Sequence, residues 1–263
     1  MTVTCNGLPV QLADVLPALV NYGHFTSLQV RGGRVQGLAL HLQRLAGATA
    51  ELFGTALDTV TVQAWIAQAL CAAGQADASV RVTVYARGFD FRDPLAPVPV
   101  DVLVAVSAPV TLHAACRVRS VRYQRELPHL KHMGTFGLFA QRRLARAAGF
   151  DDAVFVSEAG ALTEGTTWNL ALHDGVALIW PQGPALAGTA QALLQAHWPG
   201  PQQHRVVGCD ELPALRAGFA CNASGVWPLS AIDDHALAGS DALAAQARAV
   251  LAGVPGQPLA GPG

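Results

Sequence analysis

The chain has 263 residues, 51% of them hydrophobic and only 13% charged, with a formal net charge of −1. That balance excludes a disordered polypeptide, which needs low hydrophobicity and high net charge, and it offers no basic stripe interleaved with aromatics for nucleic acid. Five cysteines, odd in number, far apart and without a C-x-x-C pair, suit a reducing cytoplasm better than a disulfide frame or a metal site.

The first residues carry no basic start followed by an apolar core, so no secretory signal is expected. The most apolar stretch, residues 95–112, contains Asp101 and three prolines, which makes it a loop and a buried strand rather than a membrane span. In chain order, Gln29–Val35 predicts a β-hairpin, because Gly32-Gly33 supplies the positive φ angles of a two-residue turn. Residues 41–53, with Leu42, Leu45 and Leu52 at helical spacing, predict a helix capped by Gly54; residues 60–73 predict a second, stopping at Gly74. Val80–Tyr85 alternates with period two, as a half-buried strand does, and residues 98–106 form another strand. Pro109–Leu112 reads as a linker. It divides a small α/β domain, residues 1–110, from a larger α/β domain, residues 111–263.

Beyond the linker a strand is predicted over 116–123, then a helix over 135–148 with Arg142, Arg143 and Arg146 on its wet side and Gly149 at its end. A short strand over 153–156 and a turn at Glu158–Gly160 lead into Leu162-Thr163-Glu164. Residues 169–172 and 176–180 predict a hairpin around Asp174-Gly175. Helices are predicted over 189–198, 211–217 and 241–251, and the Gly- and Pro-rich tail from Gly253 is expected to be mobile.

Lys131 is the only lysine in the chain; every other long basic residue is arginine. It stands in Pro128-His129-Leu130-Lys131-His132-Met133-Gly134, where strand-like sequence gives way to a helix. A lysine in an apolar, cationic setting loses its proton readily, and a neutral amine can attack an aldehyde. On scarcity alone an ordinary surface lysine at a helix start is the better reading, since a GC-rich genome also replaces Lys with Arg. The sequence that follows is more specific. After the helix come Ala148-Gly149-Phe150-Asp151-Asp152-Ala153 and Gly160-Ala161-Leu162-Thr163-Glu164-Gly165-Thr166-Thr167-Trp168-Asn169.

This order resembles the class IV aminotransferase family, the pyridoxal 5′-phosphate (PLP) enzymes of fold type IV, with its Schiff-base lysine, helix, A-x-x-x-G-x-D-[DE]-A run and G-x-[VL]-x-E-[GS]-[ST]-x-x-N segment. Gly23–Val30 is similar to the family's G-x-F-[ET]-[ST]-x-R-V strand, and His41-Leu42-Gln43-Arg44-Leu45 to its H-[LI]-x-R-L helix. The resemblance implies a two-domain α/β fold of the D-amino acid aminotransferase kind, a homodimer, and PLP as cofactor. It implies that Lys131 holds PLP as a Schiff base and moves the substrate proton, and that Glu164 faces the pyridine nitrogen and keeps it protonated. Arg44, the Gly188-Thr189-Ala190 helix start and Asn222 would hold the phosphate, the helix by its N-terminal N–H groups.

Three positions depart from the pattern. Ala190 and Gln191 replace the family's threonine and arginine, which removes one phosphate hydroxyl, and Phe136 stands where branched-chain enzymes place a tyrosine. Arg87-Gly88-Phe89-Asp90-Phe91-Arg92 resembles the R-G-x-x-x-R of D-amino acid aminotransferases, which would make Arg92 a carboxylate anchor. The bland reading of Arg92, a loop arginine paired with Asp90 or Asp93, is as good. Thr26 and Lys131-His132 are similar instead to 4-amino-4-deoxychorismate lyases. The resemblance therefore implies amino-group transfer between an amino acid and a 2-oxo acid, with Thr26, Phe136 and Arg92 on the substrate side. Pyruvate elimination from aminodeoxychorismate is the alternative, and a non-catalytic PLP-fold binding protein a further one.

Overall fold

The computed structural model describes residues 1–110 and 114–259. The chain packs as two units, one made of Met1–Val110 with Leu130–Gly134 and the segment from Pro255, the other of the remaining chain through Val254. Of the predicted linker, Thr111 and Leu112 lie outside the described residues.

The first unit comprises β1 (Thr2–Cys5), β2 (Leu8–Pro9), α1 (Leu12–Ala18), β3 (Gly23–Arg31), β4 (Arg34–Val35), α2 (Leu38–Phe53), α3 (Thr59–Ala73), β5 (Ala78–Tyr85) and β6 (Asp101–Ser107). Its sheet is antiparallel throughout and centred on β3-β5-β6. The period-two pattern works as predicted: Leu28, Val30, Val80, Val82, Val84, Val102, Val104 and Val106 all face one core, covered by Leu45, Ala48 and Leu52 of α2 and Val62, Ile66 and Ala69 of α3. Phe25, Arg81 and Thr83 lie on the opposite face, since Phe25 pairs with Thr83 and Ser27 with Arg81. The Gly32-Gly33 turn has φ of 54° and 70°, as a two-residue hairpin of this hand requires. Gly54 and Gly74 close α2 and α3 in the left-handed region.

The second unit comprises β7 (Cys116–Arg122), α4 (Phe136–Ala147), β8 (Asp152–Val156), β9 (Leu162–Gly165), β10 (Asn169–His173), β11 (Leu178–Pro181), α5 (Thr189–His197), β12 (Gln202–Arg205), β13 (Ala217–Asn222), β14 (Gly225–Ile232), β15 (His235–Ala236) and α6 (Ser240–Ala252). The order β10-β13-β14-β7-β8-β9 closes on itself, because β9 meets β10 again through the pair Glu164 and Asn169. Val118, Val154, Leu162, Leu170, Leu172, Ala220 and Trp227 fill one core. Ala171, Trp180, Phe219 and Cys221 face the other way, against Leu194 of α5 and Leu243 and Ala247 of α6. The seam of this closed sheet is thus formed by two residues that the sequence pattern had singled out.

Four expectations need correction. Residues 98–100 are not strand; β6 starts only at Asp101, after Pro97 and Pro99, which cannot donate to a ladder. Residues 211–217 do not form a helix: Pro213 confines the segment to a 3₁₀ turn, Cys209–Ala214, and Ala217 already begins β13. The tail is tied down as far as Leu259, with Gln257–Pro258 forming β16 against Arg34–Val35. The lysine segment, assigned above to the C-terminal domain, packs with the first unit. The reason is a backbone bridge: Phe25 N–H donates to the Lys131 carbonyl at 2.9 Å and Met133 N–H to the Gly23 carbonyl at 2.9 Å.

Candidate active site

Within the first unit, this bridge holds Lys131 against the edge of β3. Its Nζ lies 4.9 Å from the centre of the Phe25 ring, and the Arg81 guanidinium stacks on the same ring at 3.5 Å. Arg81 was not singled out by the sequence, where it is one strand arginine among sixteen; its register opposite Ser27 is what brings it to Phe25. Below the strand, Thr26 is fully buried. Its hydroxyl accepts from Arg44 Nη2 at 2.5 Å and lies 2.7 Å from His41 Nδ1. Burial, and then the Arg44 and Lys131 charges, press the His41 pKa down to about 3, so His41 is neutral and Nδ1 can accept the Thr26 proton. Arg44, Thr26 and His41 thus form one buried chain of hydrogen bonds in which Arg44 is the donor to Thr26. His24, 2.9 Å from the Thr49 hydroxyl, is lowered to about 4 by burial and by Arg44.

These two histidines predict acid sensitivity. In the unfolded chain each takes its proton near pH 6.5, whereas in the folded chain each resists until about 4 and 3. The unfolded state therefore binds more protons below pH 6.5, and stability present above that pH is lost as the pH falls toward 4. In urea titrations between pH 6.5 and 4.5, His41→Gln should reduce the pH slope of unfolding free energy by about one proton. An unchanged slope would show that His41 is protonated in the folded protein.

Within the second unit, Glu164 is 6% exposed at the barrel seam. Its Oε2 accepts from the Leu186 N–H at 3.1 Å, and its Oε1 lies 3.6 Å from Arg125 Nη2. Arg125 is as buried as its partner, and its Nε meets no acceptor among the described residues. Asn169, across the seam, donates to the Leu186 carbonyl at 2.7 Å. Glu164 and Asn169 together hold both polar groups of the Leu186 backbone, just before α5. A Cβ on Gly188 would lie 1.8 Å from Asn169 Oδ1, so only glycine permits this approach. Ala190 faces the α5–α6 core beside Leu194, where a threonine hydroxyl would need a partner among apolar side chains. Asn222, at the end of β13, donates to the Thr167 carbonyl at 3.1 Å.

Not every predicted residue is placed alike. Arg92 is on an exposed turn, its side chain 77% exposed, paired with Asp90 at 4.0 Å and resting on Phe91 at 4.5 Å. The bland reading of Arg92 thus accounts for all its contacts. Arg87 is spent on Asp101 and Asp14, at 2.8 and 3.0 Å, and anchors α1. Phe136 opens α4 and is 85% exposed. Arg142, expected on the wet side of α4, turns inward to Asp152 instead.

PLP presents an aldehyde, a ring nitrogen and a phosphate dianion. The chain's residues suit all three: one amine at Lys131, one buried carboxylate at Glu164, and a glycine-cradled helix start at Gly188-Thr189-Ala190 with Arg44 as a further cation. The class defined by fold and residues is confirmed by comparison. Residues 23–232 match the family model for class IV aminotransferases, so the chain belongs to that family and is a PLP-dependent enzyme. No curated protein sequence matches it.

Solved structures of the same fold include a fold IV-transaminase, CpuTA1, from Curtobacterium pusillum, at 24% identity, with 90% of this chain and 88% of that one covered and a TM-score of 0.76. A hypothetical aminotransferase from Mycobacterium tuberculosis in its PLP-bound form covers 95% and 99% at 20% identity, with a TM-score of 0.79. The branched-chain amino acid aminotransferase from Escherichia coli covers 89% and 86% at 16% identity, with a TM-score of 0.77. At these identities the likeness establishes the α/β fold of type IV and no substrate.

Proposed function

We propose that the enzyme moves an amino group between an amino acid and a 2-oxo acid. Lys131 would be the Schiff-base residue, Arg44, Gly188, Thr189, Ala190 and Asn222 would hold the phosphate, and Glu164 would face the ring nitrogen. When bound, PLP supplies an electron sink for the carbon that loses its proton. Lys131 holds and returns that proton, and the buried Glu164 carboxylate favours a protonated ring nitrogen because it is an acceptor largely withdrawn from solvent. Arg81, stacked on the Phe25 ring that Lys131 also approaches, suits a substrate carboxylate better than Arg92 does, since no acidic partner among the described residues engages its guanidinium fork.

The observation that carries transfer over elimination is the Thr26 hydroxyl. A lyase needs a proton for departing pyruvate, and Thr26 is the residue similar to lyases. Yet its oxygen accepts from the Arg44 guanidinium at 2.5 Å, and its other close neighbour is His41 Nδ1 at 2.7 Å, so both sides of the hydroxyl are engaged within the protein. Mixing the PLP-loaded enzyme with single L- and D-amino acids should produce the pyridoxamine spectrum and one equivalent of 2-oxo acid. Arg81→Gln should raise KM for the amino acid by about tenfold to a hundredfold. Rapid release of pyruvate and p-aminobenzoate from aminodeoxychorismate, without half-transamination, would reverse the choice.

A cytoplasmic homodimer belongs to the same proposal. Its support is the five unpaired cysteines and the apolar side of α1 and its C-terminal flank, where Leu12, Leu16, Leu19 and Val20 are exposed. No helix among the described residues is long and apolar enough to cross a membrane.

A further inference from the structure

Asp152, at the start of β8, accepts hydrogen bonds from five donors: Arg142 Nε and Nη2 at 3.1 and 2.9 Å, the Thr166 hydroxyl at 2.7 Å, the Trp168 indole N–H at 2.9 Å and the Ala153 N–H at 2.8 Å. Arg142 Nη2 reaches further, to the Thr166 and Thr167 hydroxyls at 2.6 and 2.7 Å. Thr166 therefore accepts from the guanidinium and donates to the carboxylate. Three consecutive side chains of the corner between β9 and β10 are fixed by one ion pair.

That corner joins Glu164 to Asn169. The indole of Trp168, held by Asp152, lies so close over Gly165 that a Cβ there would meet it at 1.9 Å. Gly165 N–H donates to the Trp168 carbonyl at 2.8 Å, and the Thr167 carbonyl receives Asn222. Glu164 precedes this knot directly, and no other described contact engages the Thr166 and Thr167 hydroxyls.

We propose that Arg142 is a positioning residue: with Asp152 it locks the Gly165–Trp168 corner, and through it the aim of the Glu164 carboxylate and the Asn222 amide. The proposal rests on the PLP reading above for its consequence, cofactor hold, but not for its geometry. Lysine at this position keeps the charge and cannot bridge Asp152 and two threonines at once. Glutamine loses the charge and leaves Asp152 with a buried, poorly compensated carboxylate.

The test compares wild type, Arg142→Lys, Arg142→Gln, Thr167→Val and the exposed-neighbour control Arg143→Ala. It uses PLP titration of cofactor-free protein, the pH dependence of the bound-PLP absorption band, and amide hydrogen exchange at Gly165–Asn169 without PLP. Arg142→Gln should weaken PLP about tenfold to a hundredfold, displace the band's pH midpoint, and speed exchange at the corner. Arg142→Lys should recover part of each, and Arg143→Ala should match wild type.

A folded Arg142→Gln protein with wild-type PLP Kd, band and exchange would overturn the proposal. Should that variant not fold, Thr167→Val decides in its place, by weaker PLP binding and faster corner exchange, or by neither. Failure of wild type to take PLP would sink the functional reading. The corner lock would then stand or fall on exchange alone.

Discussion

Lys131→Ala is expected to yield a folded protein with no turnover and no cofactor fixed by borohydride. The fold should survive because the segment is held by backbone groups: the Lys131 carbonyl accepts from Phe25, and Met133 N–H donates to Gly23. Neither bond needs the side chain. Removing the amine removes the only lysine side chain. Loss of its proton transfer alone costs about 10²–10⁴ in rate, and loss of the covalent hold on PLP adds to that. Peptide mapping after borohydride reduction of wild type should place the cofactor mass on the peptide containing Lys131. Wild-type turnover in the alanine variant, or label on the N-terminal amine instead, would remove Lys131 from its role.

The second large effect concerns Glu164. Glu164→Gln keeps an oxygen that can accept the Leu186 N–H but removes the charge proposed to favour a protonated ring nitrogen. Turnover should fall by about 10²–10³, the range seen when one preorganised electrostatic group is lost. PLP should still bind, because Lys131 and the residues proposed to hold the phosphate are untouched. The substitution also strands Arg125, a buried guanidinium whose ion-pair partner is Glu164. Breaking such a pair from one side costs about 3–5 kcal/mol of stability. The double variant Arg125→Met/Glu164→Gln separates the two effects: it should regain thermal stability and remain slow. If the double variant recovered both Tm and rate, the loss in the single variant would have been one of folding, and Glu164 would have no electronic part in the reaction.

Much of the fold was legible because its determinants are local. The two glycines at 32 and 33 permit the positive φ angles of the turn between two strand-like runs, and Gly54 and Gly74 end helices by a backbone angle other residues avoid. The alternating valines of β5 identify a one-sided strand before any partner is known. Where reading failed, a local rule was present but underweighted, or a distant partner intervened. Pro213 shortened a helix to a 3₁₀ turn. The tail lost its expected mobility because the β4 edge was open to it.

The site divides in the same way. Lys131, Glu164, Arg44, Gly188 and Asn222 were proposed from the family resemblance, since each sits in a motif written over a few neighbouring residues. Arg81, Arg125 and Arg142 were not, although they engage Phe25, Glu164 and Asp152 respectively. All are arginines in a chain where arginine is common, and nothing nearby in sequence marks a buried partner. Arg142 even obeyed the helical pattern that assigns it to solvent.

By itself the sequence determined the order of elements, the family and the cofactor. Only the tertiary structure decided which unit the lysine segment joins, which arginine stacks on Phe25, and what holds the corner after Glu164. The physical reason is range. Backbone angles and period are set by adjacent residues, whereas the partner of a buried charge is set by strand register and sheet closure, which bring together residues far apart in the chain.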